Sequence, residues 1–253
     1  MKIVVCCKIV PDEELIQVRP DRTLSMEGTP WKISQYDLNA LEAAKQLSAA
    51  TSGSVTALSV GGTAALEPSK IRKDVLSRGA DELSLVINDE HAFGDSLETA
   101  KSLAAALKDG GFDLVLCGTG SSDLYAQEVG VQLGELLGLP TVNNVTAITP
   151  KDGAVEVERT LEDSVEVLEM PLPAVLSVSS EINTPSVPAM RDIMRAGKKP
   201  VNVLEVSLDE AKPAVETISE LAPEQQERRQ EIVEGDGEEA IDALVRFLKK
   251  EAL

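Results

Sequence analysis

Leu114-Val115-Leu116-Cys117-Gly118-Thr119-Gly120-Ser121-Ser122-Asp123 reads as a buried strand that breaks into small residues and runs directly into a helix. Four apolar residues in a row, without polar alternation, are the pattern of a strand covered on both faces. From position 123 onward apolar residues recur at three- and four-residue intervals. The spacing predicts a helix over 123–137, stopped by Gly138-Leu139-Pro140. Strand, tight turn and helix together make half of the repeating unit of a parallel sheet.

The same grammar repeats upstream. Residues 3–9, 55–60 and 83–87 are further buried-strand candidates, and 37–48, 68–78 and 96–107 space Leu and Ala as amphipathic helices do. Gly79 after Arg78, and Gly110-Gly111 after Lys108, sit where helix stops are expected, with a basic residue in the last turn. The expected fold is therefore α/β: a Rossmann-like open, mostly parallel sheet with helices on both faces. Residues 11–29 interrupt it. Ile16, Val18, Leu24 and Met26 alternate around Arg19-Pro20-Asp21-Arg22, which predicts a β-hairpin excursion. Past residue 140, the runs 155–159, 165–169 and 174–178 are short and closely spaced, so antiparallel pairing that extends or flanks the sheet is expected.

Composition narrows the function. The chain has 253 residues, 43 acidic against 24 basic side chains and a formal net charge of −19. Such a surface repels phosphate backbones, and one Trp, two Tyr and three Phe cannot furnish base-stacking platforms, so nucleic acid is not an expected partner. Cys6, Cys7 and Cys117 lie in apolar runs, and neighbours Cys6 and Cys7 would point to opposite faces of a strand, which disfavours a disulfide framework. No run approaches the ~18 apolar residues of a membrane span, and the opening eight residues are too short for a signal peptide's apolar region, so a cytoplasmic location is expected. His91, beside Asp89 and Glu90, reads as a solvated surface residue. As the single histidine it leaves little room for His-based metal sites or for Ser-His and Cys-His pairs.

Residues 207–237 are polar and Pro-punctuated, too poor in large apolar groups to fold alone, and read as an extended arm. Residues 238–253 carry a narrow stripe, Ile241, Leu244, Val245 and Leu248, on a charged helix that must dock on this chain or another. The expected division is thus 1–206, with the hairpin excursion 11–29, and 207–253.

Candidate chemistry gathers at strand ends. Small residues 118–122 at a strand-to-helix turn let backbone N–H groups approach a phosphate, and the helix N-terminus adds a partial charge of about +0.5. The alternative is an ordinary N-cap by Ser121, Ser122 or Asp123. The ends at Cys6-Cys7-Lys8 and Val60-Gly61-Gly62 would share the carboxyl edge with Gly118, where open α/β sheets place ligands, so a nucleotide crevice is expected. The acidic cluster at 162–166 reads as an exposed turn. In an acidic chain, the stretch 185–200 stands out as basic and Pro-rich. Its Met190, Ile193 and Met194 are either flexible anchors for a partner or fillers of the core.

Taken together, these residues resemble the beta subunit of an electron-transfer flavoprotein. The match spans nearly the whole chain and is most specific at Val157-Glu158-Arg159-Thr160-Leu161-Glu162-Asp163-Ser164-Val165-Glu166-Val167-Leu168 with Leu172-Pro173-Ala174-Val175-Leu176-Ser177. Residues 183–200 resemble the family's recognition loop, with Met190 at the anchor's place and Ile193, Met194 and Arg195 beside it. Lys32-Ile33-Ser34-Gln35-Tyr36-Asp37-Leu38-Asn39-Ala40 and Gly120-Ser121-Ser122-Asp123-Leu124-Tyr125-Ala126-Gln127 are similar to the Fix-type branch.

The resemblance implies an adenine-nucleotide alpha hydrolase-like fold and an electron carrier rather than an enzyme, with no catalytic side chains and no metal. It implies an AMP, or a second FAD in bifurcating types, against Cys6, Ser34, Gln35, Tyr36, Asp37, Val60, Gly118, Thr119, Gly120, Ser121, Ser122, Asp123, Ala126, Gln127 and Val129. The redox-active FAD would be shared with an alpha subunit on which the C-terminal arm and helix dock. Glu13 stands where some members place an aromatic residue near the flavin ring. Electrons would pass between a client dehydrogenase and a quinone oxidoreductase or related acceptor. A different class, a stand-alone adenine-nucleotide-binding stress or sensor protein, shares the architecture. An ATP-using nucleotidylating or synthetase-type enzyme would need metal-binding acids and a phosphate lysine that 119–122 lacks.

Overall fold

The computed structural model describes residues 1–89, 94–206, 215, 217–224 and 232–251. His91 and much of the predicted arm (207–214, 216 and 225–231) lie outside the described residues. In chain order the elements are β1 (Lys2–Cys6), β2 (Ile9–Pro11), a 3-10 turn (Glu13–Leu15), β3 (Gln17–Val18), β4 (Leu24–Ser25), β5 (Trp31–Ile33) and α1 (Gln35–Thr51). There follow β6 (Ser54–Gly61), α2 (Thr63–Leu66), α3 (Ser69–Ser77), β7 (Glu82–Ile87), α4 (Ser96–Leu107), β8 (Leu114–Gly118) and α5 (Val129–Leu137). The chain continues through β9 (Thr141–Lys151), β10 (Ala154–Thr160), β11 (Val165–Pro171), β12 (Ala174–Val178), α6 (Met190–Ala196), β13 (Val201–Val203) and α7 (Glu238–Glu251).

Nine strands form one open sheet in the order β11-β10-β9-β12-β8-β1-β6-β7-β13, and only β9-β10-β11 pair antiparallel. The α/β expectation holds. Outside the main sheet, β2 pairs antiparallel with β5, and β3 pairs with β4, as two small ribbons. β12 differs from its expected antiparallel pairing. It lies parallel to β8, with Ala174 opposite Leu114 through Val178 opposite Gly118. All five of its residues are buried. A strand apolar on both faces belongs in the middle of a sheet, and closeness in sequence to β10 and β11 does not override that. β9, β13 and α6 carry mixed or short patterns that periodicity alone does not flag.

Alternation along β1 divides the core. Ile3, Val5 and Cys7 pack with Leu41, Ala44 and Leu47 of α1, while Val4 and Cys6 pack with Leu103 of α4 and Leu133 of α5 on the other face. Cys6 and Cys7 therefore point to opposite faces, and all three cysteines are free and buried. α4 starts where Asp95 Oδ1 accepts the Glu98 N–H at 2.8 Å, a side-chain N-cap. Leu116, in mid-β8, is fully buried. Leu116→Ala is expected to lower the unfolding free energy by about 2–5 kcal/mol in denaturant titration, since the close-packed core around it on the α1 face cannot close the cavity.

The chain divides into two compact units, Met1–Gln17 with Ser25–Ser219, and Val18–Leu24 with Glu220–Leu253. Within the second, Thr23 bridges Leu221, the Ala222 N–H donates to the Arg22 carbonyl at 2.9 Å, and Arg22 pairs with Glu224 at 2.8 Å. α7 carries Glu238 and Glu239 in its first turn and Lys249 and Lys250 in its last, signs that match the helix dipole. Its Ile241, Leu244, Val245, Phe247 and Leu248 are exposed. No helix among the described residues is long and apolar enough to cross a membrane.

Candidate functional site

From β1 the chain moves to β6 on one side, and β8 later fills the other side. The connections leaving the carboxyl ends of β1 and β8 therefore diverge and open a crevice there. The resulting cleft encloses about 770 Å³ of space when counted out into open solvent. Its floor is made of strand ends, Cys6, Cys7, Lys8, Leu58, Val60, Cys117 and Gly118. Gly94 and α4 residues Ser96, Thr99 and Leu103 form one wall, and the 119–130 segment forms the other.

That second wall corrects the sequence reading. No helix follows Asp123 directly: α5 starts at Val129, its N-cap position is Glu128, and no side chain caps it. Ser121, Ser122 and Asp123 are thus neither N-caps nor a helix N-terminus. Leu124 is 68% exposed, so a helical turn there would gain no burial. Instead 119–128 crosses the edge of the cleft as a loop, with Tyr125 (φ 49) and Gln127 (φ 61) in the left-handed region. Such conformations persist where surroundings enforce them. Here the Tyr125 N–H donates to the Ser121 carbonyl at 3.0 Å, and the Tyr125 ring stacks on Tyr36 with centroids 5.0 Å apart.

Asp37, in the first turn of α1, is the group that ties the floor together. Its Oδ2 accepts the Lys8 N–H at 2.7 Å and its Oδ1 the Gly118 N–H at 3.0 Å, so one carboxylate bridges the ends of β1 and β8. Burial pushes its pKa up to about 7, although both backbone donors favour the charged form. Ser34, the α1 N-cap residue, is fully buried, and its Oγ accepts the Ser122 N–H at 3.2 Å. Lys8 Nζ lies 2.7 Å from Asp123 Oδ2. Burial raises Asp123, but the Lys8 ammonium and the Ser121 hydroxyl outweigh it and hold that carboxyl below its ordinary value. The neighbouring Cys117 thiol and burial raise Cys6, and burial raises Cys7. These thiols stay protonated and serve as apolar walls rather than nucleophiles.

A carboxyl with a raised folded pKa holds more protons in the native than in the unfolded state between the two values, so its contribution to stability is complete at low pH and is lost as pH rises through about 7. The shift from 3.8 to about 7 corresponds to roughly 4 kcal/mol. Wild type is therefore expected to lose stability relative to Asp37→Asn between pH 4 and 8, read from paired denaturant titrations. A pH-independent difference would contradict the burial argument.

Of the expected residues, Cys6, Asp37, Val60, Gly118, Thr119, Gly120, Ser121, Ala126, Gln127 and Val129 line the cleft. Ser34, Gln35, Tyr36, Ser122 and Asp123 are not in its lining: Ser34 with Ser122, and Tyr36 with Tyr125, brace the wall from behind. The α4 contribution, Ser96 and Thr99, was not read from sequence. The signal available was the rule that the loop after the third parallel strand also opens on the carboxyl edge.

The cleft can hold a small anion beside an apolar body. Among the described residues, no protein acceptor takes the backbone N–H groups of Gly120, Ala126 or Gln127. The first N–H groups of α5 are free by helix geometry, and Lys8 is the one basic residue of the described lining. Cys6, Leu58, Val60 and Leu103 offer apolar surface on the same floor. Elsewhere, α6 shows Met190 at 73% and Met194 at 70% exposure, which overturns the core-filling alternative for these methionines. Glu162 and Asp163 lie in the exposed turn between β10 and β11, as expected.

The family model described as "Electron transfer flavoprotein domain" matches residues 22–209, that is 188 of the 253 residues. The matched stretch carries both cleft walls and the basic 185–200 stretch, and leaves out only the β1 end of the floor.

Proposed function

Because the chain belongs to the electron transfer flavoprotein domain family, we propose that it is the beta-type subunit of a heterodimeric electron carrier that keeps an adenine nucleotide in the β1/β8 cleft. The nucleotide is AMP, or a second FAD if the carrier is of the bifurcating type. A further FAD is shared with an alpha subunit, and electrons pass between acyl-CoA-type or other dehydrogenases and a quinone oxidoreductase or related acceptor. The observation that carries this reading is the pairing of unpartnered backbone donors at Gly120, Ala126 and Gln127 with an apolar floor.

In this reading the N–H groups of the 119–130 wall and the Lys8 ammonium take the phosphate, and Cys6, Val60 and Leu103 enclose the adenine. Asp37 lines the cleft beside them. It holds Lys8 and Gly118 at a fixed separation so that the donors are organised before binding. Flavin, when bound, supplies the electron chemistry, and the protein contributes binding, orientation and exclusion of water. The exposed Met190, Ile193 and Met194, with Arg195 among them, form the docking face for the client dehydrogenase.

The test is to purify the chain with its alpha partner, denature, and count released nucleotides. One FAD with one AMP per heterodimer is the expected result for a simple shuttle, and two FAD without AMP for a bifurcating carrier. Release of neither from an intact heterodimer would remove the nucleotide from this reading and favour the sensor class.

A further inference from the structure

α1 has polar ties at two distant places. Its N-terminal turn holds the crevice: Ser34 Oγ takes the Ser122 N–H, and Asp37 takes the Lys8 and Gly118 N–H groups. One turn further on, the same helix holds the chain that leads into α6. Buried Asn39 donates its side-chain amide to the Asn183 carbonyl at 2.8 Å, Asn183 Oδ1 at 3.2 Å and the Ser180 carbonyl at 3.4 Å. The Asn183 side-chain amide donates back to the Asn39 carbonyl at 3.0 Å. Three residues along the same face, Glu42 Oε2 accepts the Ser186 hydroxyl at 2.6 Å, and Lys45 Nζ donates to Ser186 Oγ at 2.7 Å.

α6 needs such support. Its C-terminal end is fastened by buried Ala196 and by Lys199, whose ammonium donates to the Leu76 and Ala80 carbonyls at 2.8 and 2.6 Å. Its N-terminal approach is far more open: Val187 is 91% exposed, and the side-chain hydrogen bonds of 183–186 run to α1. From Ser34 to Glu42 is eight residues of helix, about 12 Å, a span over which an α-helix moves as one body.

We infer that Asn39 and Glu42 are positioning residues for the exposed α6 face, and that through them occupation of the crevice orders the docking helix. The inference rests on the proposed nucleotide site. A ligand held between the 119–130 wall and the β1 end fixes the groups that Ser34 and Asp37 grip, and hence α1. The Asn39 and Glu42 clamps then restrict residues 183–190, and Met190 presents its side chain from one place. Binding that rigidifies a segment couples it to a distant site without a new contact.

The experiment is hydrogen exchange by mass spectrometry on the full chain, with saturating AMP and, separately, FAD, read over peptides covering 184–196. In wild type, the nucleotide that binds is expected to slow exchange there at least about fivefold, the lower end of ordinary site-to-site coupling. Asn39→Ala is expected to bind the same nucleotide yet lose that protection. Ser186→Ala, a surface change with no packing role, is expected to lose it around 186–190, and Ser186→Thr to restore it. Nucleotide bound without protection at 184–196, or equal protection in the Asn39 and Ser186 variants, overturns the coupling and leaves the nucleotide site standing. If neither AMP nor FAD binds, the nucleotide reading itself fails, and the coupling with it.

Discussion

Gly118→Val is expected to empty the cleft of nucleotide and to lower the unfolding free energy by about 1–3 kcal/mol, the usual cost of forcing atoms into a packed site. A Cβ built at Gly118 would lie 2.6 Å from Asp37 Oδ1 and 2.8 Å from the Tyr36 carbonyl carbon, and helix backbone cannot swing aside. The added carbons therefore push α1 away from β8 and break the bridge from Asp37 to the Gly118 N–H. The damage arises from the wall the glycine packs against, not from occupation of phosphate space. Gly120→Ala is the instructive comparison, because its Cβ would press on the Tyr125 ring at 2.7 Å and otherwise meet only side-chain Gln127 Cγ, at 3.4 Å, among its three nearest atoms. It should loosen the Tyr36–Tyr125 stack and weaken nucleotide retention at little cost in stability. Nucleotide counts and denaturant midpoints on both variants decide the matter. Full retention in Gly118→Val would show that the crevice does not depend on the α1–β8 contact.

Met190→Glu is expected to reduce electron exchange with the client dehydrogenase by roughly 30-fold or more, while nucleotide content and unfolding midpoint stay at wild-type values. An apolar anchor at the centre of an interface commonly contributes at least about 2 kcal/mol, and 1.4 kcal/mol is a tenfold change. The side chain is 73% exposed, so the carboxylate introduced there leaves the core alone. Around it lie Arg191, Arg195 and Lys198 in a chain of net charge −19. The new carboxylate must be stripped of water on docking and also opposes this local positive charge. Met190→Leu keeps the apolar volume and should retain most of the activity. Steady-state transfer to or from the purified client, with KM and kcat resolved, is the measurement; an unchanged KM in Met190→Glu would place the docking face elsewhere.

Much of the fold is legible in the chain because it rests on local pattern. β8 is an unbroken apolar run, β6 and β7 are apolar runs interrupted only by Ser and Thr within their buried stretches, and α4 shows its period, so their extents follow within a residue or two. α5 is the informative failure. Leu124, five residues before Val129, is out of step with the four-residue spacing of Val129 and Leu133 and is exposed, and 119–128 runs as a loop with Tyr125 and Gln127 in the left-handed region. β12 fails for a related reason, since a fully buried strand announces that it is central without announcing its neighbours. At the site, Gly118, Gly120 and Cys6 are readable as strand-end residues. Asp37 looks in sequence like any acid in a helix's first turn, and Asn39 like an ordinary surface amide.

By itself the sequence determined the class of sheet, the carboxyl edge at which the ends of β1, β6 and β8 gather, and the basic segment 185–200 in an acidic chain. The order of the strands, the start of α5, the bridge from Asp37 to Lys8 and Gly118, and the clamp of Asn39 on Asn183 were decided only in the folded chain. Those bonds join residues 29, 81 and 144 positions apart. Periodicity reports which face of an element is buried, whereas the partner across that face is chosen by the packing of the whole sheet and its helices.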